Sequence, residues 1–176
     1  MTDTPTAHDL VAQYIRAIPD FPQPGILFRD ITPLLAEPAA FAQALDWLTE
    51  HCDGADAVVG IESRGFILGA PIAQRLGRPF VPVRKAGKLP ADTIARSYDL
   101  EYGSATIEMH ADALGAGARV ALVDDLLATG GTAEASLQLL TQAGAEVSAV
   151  AFLIELEALN GRDRLMPHEI VSMLVY

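Results

Sequence analysis

Three residue types are almost missing from this chain of 176 residues, which holds one cysteine, two lysines and one tryptophan. A single cysteine, Cys52, excludes an internal disulfide and a thiolate metal site, and it fits a reducing compartment. Its helical surroundings make it an expected core residue. No apolar run approaches the roughly 18 residues needed to cross a bilayer. The opening MTDTPTAHDL also lacks the basic and then apolar order of a signal peptide. The expectation is therefore a cytoplasmic protein with no membrane partner. Positive charge is scarce as well: the net charge is −11 and the isoelectric point lies near 4.6. That balance argues against nucleic acid, whose binding is driven by Lys and Arg on phosphates. His8, His51, His110 and His168 have no metal-ligand spacing.

What positive charge there is lies unevenly. Seven of the twelve basic residues fall between Arg64 and Arg96, and the two lysines, Lys85 and Lys88, are three residues apart. Such clustering in an acidic chain fits either a bound small anion or a solvated charged loop. With 51% hydrophobic residues, the chain can bury one substantial core, and a single domain over residues 1–176 is expected.

Thr6 to Asp9 has capping-box spacing, and Leu10, Val11, Tyr14, Ile15 and Ile18 follow on one helical face. The segment Pro19 to Pro33 is too rich in proline for a helix and too apolar to expose, so a packed extended loop is expected. A helix over Pro38 to Cys52 leads to a strand Ala57 to Ile61, a helix Gly65 to Leu76 closed by Gly77, and a strand Phe80 to Arg84. Lys85 to Ser97 reads as a long loop. Tyr98 to Met109 reads as a hairpin turning at Gly103-Ser104. A second strand, helix, strand unit follows: Arg119 to Val123, Thr132 to Ala143 closed by Gly144, and Val147 to Ile154. A short helical piece near Leu159 to Leu165 and a strand Ile170 to Val175 complete the plan. Strands alternating with helices make this an α/β fold with a central, mostly parallel sheet flanked by helices, from which the hairpin projects as a lid.

The most informative stretch is RVALVDDLLATGGTAEASLQLL, residues 119–140. An apolar strand delivers Asp124 and Asp125 at its carboxyl end, where ligands bind in open parallel sheets. Ala128, Thr129, Gly130, Gly131 and Thr132 then lead into a helix. Glycines let the backbone approach an anion, the free N–H groups of the first turn point at it, and the two threonines add hydroxyls. A phosphate monoester fits. The spacing is wrong for a Walker A loop and for a dinucleotide fingerprint. Two buried acidic groups just upstream of a phosphate cradle need donors, and sugar hydroxyls would supply them.

VALVDDLLATGGT resembles the 5-phosphoribosyl 1-pyrophosphate (PRPP) motif of the type I phosphoribosyltransferases, and among them it is close to that of the adenine phosphoribosyltransferases. FPQPGILFRDITPLL, GIESRGFILGAPIA, VRKAGKLP and SYDLEYG resemble segments of the same family in the same order, across nearly the whole chain. The resemblance implies the type I phosphoribosyltransferase fold and transfer of a phosphoribosyl group to adenine. The products would be AMP and pyrophosphate, a step of purine salvage, and Mg²⁺ would be held mainly by the substrate pyrophosphate and water, with no all-protein metal site. Asp124, Asp125 and Ala128 to Thr132 would bind PRPP and AMP.

Ser63, Arg64, Arg84, Lys85 and Lys88 would hold pyrophosphate, whose growing charge must be stabilised as the sugar passes through a cationic state. The turn holding Ser63 and Arg64 can adopt a non-proline cis peptide in the family. The nucleobase loses a proton as it attacks. The 6-oxopurine relatives carry an aspartate at the place of Ala128, so the resemblance points to Glu101 on the lid as the base, with Tyr102 beside it. Arg64 is the second catalytic candidate. Phe28 would stack on adenine while the backbone of Leu27 and Arg29 reads its edge. Some xanthine enzymes also have alanine at Ala128, but the FRDI segment and short C-terminal tail favour adenine. A nucleic-acid-binding regulator with this fold would need a basic face or an added module, and the chain is expected to start directly in the fold. The family is typically dimeric, so a homodimer is expected.

Overall fold

Thr6 and Asp9 cap each other at the start of helix α1 (Ala7–Ala12). The Asp9 N–H donates to Thr6 Oγ1 at 3.2 Å, and the Thr6 N–H donates to Asp9 Oδ2 at 3.1 Å. This capping box satisfies two otherwise orphaned donors. In the computed structural model, which describes residues 6–99 and 103–176, α1 belongs to the first of two compact units. One runs to Trp47 and the other is Leu48–Tyr176.

Helix α1 is shorter than its apolar spacing predicts. Tyr14 and Ile15 donate to the carbonyls of Val11 and Ala12, bonds that tighten and end the helix. The chain then turns into β1 (Arg16–Pro19), which pairs antiparallel with β2 (Leu27–Asp30) and sets Ile18 opposite Phe28. Strand pairing therefore overrides the helical pattern at Ile18. Arg16 anchors the pairing with a 3.0 Å and a 2.6 Å hydrogen bond from Nε and Nη2 to Asp30 Oδ2. The expected loop over Pro19 to Pro33 is thus a hairpin, followed by a short helix α2 (Thr32–Leu35). Pro33 sits in its first turn, where a missing N–H costs no intrahelical bond. Helix α3 (Pro38–His51) starts at its proline and runs across the boundary between the units.

In the second unit, β3 (Ala57–Ile61) is buried at all five positions. It is followed by α4 (Arg64–Leu76), which Gly77 ends, and β4 (Phe80–Lys85). Next come β5 (Thr93–Asp99), β6 (Ser104–His110), β7 (Arg119–Leu127), α5 (Gly131–Gln142) and β8 (Glu146–Glu155). A 3₁₀ turn at Glu157–Leu159, α6 (Gly161–Arg164) and β9 (Ile170–Val175) end the chain. One sheet has the order β5-β6-β4-β3-β7-β8-β9; it is parallel from β4 to β9 and antiparallel at β4-β6 and β5-β6. Val59, Ile61, Val83, Leu122, Leu139 and Phe152 belong to its core. Cys52 is fully buried.

Two boundaries differ from the sequence reading in ways that matter for the site. The expected loop from Lys85 ends at Asp92, because Thr93 to Ser97 pair with β6 from His110 to Thr106. Strand β7 runs four residues past Val123, pairing with β8 as far as Leu127 opposite Glu155. Asp124 and Asp125 are therefore strand residues. The chain leaves β3 toward β4 on one side and β7 toward β8 on the other, so β3 and β7 flank the point where strand order reverses. In such sheets ligands bind outside the carboxyl ends of those strands.

Candidate active site

Beyond the end of β3 the chain turns at Glu62 and Ser63, joined by a cis peptide bond, and enters α4 at Arg64. Gly65 lets this helix abut β7: a Cβ there would lie 2.9 Å from both Asp124 Oδ1 and the Val123 carbonyl oxygen. The close approach brings Arg64 Nε to 3.1 Å from Asp125 Oδ2. Asp125 also donates its N–H to Asp124 Oδ1 at 2.9 Å. Burial, reinforced by the charge of Asp125, pushes the Asp124 carboxyl well above the usual range. Burial raises Asp125 as well, against the opposing effect of Arg64. Both carboxyls, expected from the sequence to bind sugar hydroxyls, are thus raised at the carboxyl end of β7, where added hydrogen-bond donors would favour their charged form.

The loop expected to cradle a phosphate follows β7. Gly130 has φ 81° and caps α5. A Cβ on it would lie 2.6 Å from the Gly161 carbonyl oxygen, and one on Gly161 would overlap the Ala128 carbonyl oxygen. The start of α6 thus braces the loop backbone to backbone. A pocket of about 540 Å³ opens here, lined by Asp124, Leu126, the loop from Leu127 to Ala133, Tyr98 and Arg164. Its size suits a small-molecule ligand. Arg164 pairs with Glu134 in the first turn of α5 at 3.4 Å.

Glu62 organises the cationic side. Arg84 Nε donates to Glu62 Oε2 at 3.1 Å and the Lys85 N–H to the same oxygen at 3.1 Å. Burial works to raise the Glu62 carboxyl, but Arg84 and the Lys85 amide outweigh it and hold it low. Arg84 Nη1 also donates to the Lys88 carbonyl at 3.1 Å. Buried Glu108 accepts the Lys88 and Leu89 N–H groups at 2.9 and 3.0 Å, tying down the loop before β5. Lys85 and Lys88 are exposed. A smaller cavity of about 90 Å³ lies among Ile61, Glu62, Arg84, Lys85, Tyr98 and Thr132. Tyr98 and Thr132 line both cavities.

The second unit therefore brings together Asp124, Asp125, the cradle, Ser63, Arg64, Arg84 and the lysine loop. Leu27, Phe28 and Arg29 lie on β2 of the first unit, where Leu27 is 46% exposed and the Phe28 ring meets Phe21 edge-on at 5.2 Å. Glu101 and Tyr102 lie outside the described residues. Among the described residues, no group of three or more His, Cys, Asp or Glu side chains is placed to hold a metal ion. No helix among them is long and apolar enough to cross a membrane. Sequence reasoning missed Glu62, Tyr98, Glu108 and the Gly161 brace. Glu62 and Tyr98 sit inside segments already singled out. Nothing in a linear sequence ties Gly161 to a loop thirty residues earlier.

The profile of the Phosphoribosyl transferase domain matches residues 31–174, which sets the class of protein that this sheet, cradle and acidic pair define. An adenine phosphoribosyltransferase of Streptomyces coelicolor is 59% identical over 169 residues, covering 95% of this chain and 93% of that protein. The crystal structure of adenine phosphoribosyltransferase from Rhodothermus marinus superposes with a TM-score of 0.91 at 52% identity, over 97% of this chain and 98% of that one. The enzyme from Saccharomyces cerevisiae, complexed with D-2,5-dideoxy-2,5-imino-altritol 1,6-bisphosphate and adenine, does so with a TM-score of 0.92 at 38% identity, over 96% and 98%. The chain belongs to the adenine phosphoribosyltransferase family.

Proposed function

We propose that the protein transfers the 5-phosphoribosyl group from PRPP to N9 of adenine, forming AMP and pyrophosphate in purine salvage. The observation that carries this reading is the adjacent Asp124–Asp125 pair at the end of β7, in which Asp124 lines the pocket formed by the glycine-containing loop and the buried Asp125 pairs with Arg64. Carboxylates raised by burial gain most from hydroxyl donors, and the ribose of PRPP offers two next to its phosphate. The 5′-phosphate would lie over the amides of Thr129 to Thr132 at the start of α5, where the backbone and helix dipole favour an anion.

As the bond to the anomeric carbon breaks, negative charge grows on pyrophosphate and positive charge on the sugar. Arg84 is already aimed by Glu62, and exposed Lys85 and Lys88 have side chains free to turn toward the leaving group. Ser63 and Arg64, at the start of α4, complete the proposed pyrophosphate contacts. The Asp pair would face the cationic sugar, which makes it useful twice. Glu101 is the proposed base for the adenine proton, and Tyr102 its neighbour on the lid, which would also keep water from the activated sugar. Phe28 is the proposed stacking ring, with the backbone of Leu27 and Arg29 reading the purine edge. Mg²⁺ would be bound through pyrophosphate oxygens and water, supplying charge neutralisation on the leaving group. We read residues 1–176 as one phosphoribosyltransferase domain, acting as a cytoplasmic homodimer on small molecules alone.

The test is an assay with PRPP and Mg²⁺ in which adenine, hypoxanthine, guanine and xanthine are offered separately while nucleotide and pyrophosphate are followed. AMP from adenine alone is expected. Product from an oxopurine alone would move the base assignment, and no product with any base would overturn the catalytic reading.

A further inference from the structure

Tyr98 stands where two parts of the site meet. It lies on β5, the edge strand of the sheet, and its hydroxyl is 3.0 Å from Thr132 Oγ1, in the first turn of α5. Two residues earlier, and so on the same face of the strand, Arg96 Nε donates to Gln138 Oε1 on α5 at 2.8 Å. The two contacts fasten the lid strand to the helix that begins the phosphate cradle. Of the two, only the Tyr98 contact ends on a cradle residue. The Tyr98 ring packs against the sheet core, so its hydroxyl can be removed without removing the ring's support.

A hydroxyl has one proton to donate and can accept others. With the cradle empty, either Tyr98 or Thr132 can be the donor. A phosphate in the cradle accepts only, so a Thr132 hydroxyl that turns to it gives up its proton to that bond. Tyr98 must then be the donor to Thr132, and the chain from Tyr98 through Thr132 to phosphate polarises in one direction, each bond strengthening the next. We propose that Tyr98 is a positioning residue that senses the 5′-phosphate through Thr132 and couples its binding to the hairpin β5-β6. The inference rests on the phosphoribosyl reading of the cradle. Coupling of this kind is reciprocal: whatever the phosphate contributes to holding the hairpin, the hairpin contributes to holding the phosphate.

The experiment compares the full-length protein with Tyr98→Phe, titrating each by calorimetry with ribose 5-phosphate and, separately, with magnesium pyrophosphate. The variant is expected to weaken ribose 5-phosphate about tenfold while pyrophosphate changes by less than about twofold. Thr132→Ala should lose as much ribose 5-phosphate affinity alone as in combination with Tyr98→Phe, since the effect passes through that hydroxyl. Hydrogen exchange on residues 93–110 should slow when ribose 5-phosphate saturates the wild type, and change little when it saturates Tyr98→Phe. Equal ribose 5-phosphate affinity in wild type and variant would overturn the proposal, as would equal losses for both ligands. If the wild type binds no ribose 5-phosphate, the phosphoribosyl reading fails and the inference with it.

Discussion

Replacing Gly161 by alanine adds one methyl group at a place with no room for it. Gly161 does not need a left-handed backbone, so alanine fits its conformation and only space is at issue. The new Cβ would overlap the Ala128 carbonyl oxygen and stand 3.0 Å from the Gly130 amide nitrogen. Both neighbours are backbone, so neither can rotate away, and the cradle or the start of α6 must move by about 1 Å. Overpacking of this kind costs about 1–3 kcal/mol. A misplacement of about 1 Å in a positioning element costs about 10²-fold in rate. The assays are urea unfolding and steady-state kinetics with PRPP varied at saturating adenine. Gly115→Ala is the control: its backbone is also ordinary and a Cβ there meets nothing within 4 Å, so it should be neutral or gain about 0.4–1 kcal/mol. Expected is a loss of kcat/KM for PRPP of about 10²-fold in Gly161→Ala, larger in rate than its stability loss would explain. If Gly161→Ala behaves like Gly115→Ala in both assays, the brace does not shape the cradle and the reasoning is wrong.

Asp124→Asn should stabilise the unliganded protein while weakening PRPP by at least about tenfold. Folding raises the Asp124 carboxyl, mainly by burial, so the native state holds a proton that the unfolded chain releases near pH 3.9, and this residue's contribution to stability falls as pH rises from there to the raised value. Each unit of that rise costs about 1.4 kcal/mol once pH is above it. Urea midpoints from pH 4 to 8 should show the variant's advantage growing with pH and then levelling, and parallel curves would refute the assignment. Cys52 is fully buried, and burial pushes its thiol up to about 12. A thiol-specific reagent should therefore label it in step with unfolding by urea, and rapid labelling of the native protein would contradict its burial.

The second unit was largely legible because its elements are local and mutually consistent. Ala57–Ile61 is an unbroken apolar strand, Gly77 ends a helix, and both strand-helix-strand units form parallel pairs. The errors arose where pairing at a distance decided the local structure. Nothing between Arg16 and Pro19 looks like a strand until Asp30 supplies the partner for Arg16. Thr93 to Ser97 read as loop because their strand character depends on the facing residues of β6. In the candidate site, the cradle and acidic pair were visible as a contiguous motif. Arg64 facing Asp125 was not, because the contact needs Gly65 to let α4 press against β7. Likewise nothing in the sequence sets Glu62 apart from Ser63 and Arg64 after it, although its carboxylate is what directs Arg84.

The contact between Gly130 and Gly161 also sets an order of events during synthesis. The motif from Asp124 to Thr132 leaves the ribosome complete, with every residue that would grip a phosphate, yet the backbone against which its loop is shaped is thirty residues away and not yet made. Until α6 emerges, and β9 takes its place beside β8, the growing chain carries the full cradle sequence without the wall that gives it form. Capture of a sugar phosphate should therefore be one of the last abilities a nascent chain acquires, arriving with a segment that itself contributes no residue to the motif.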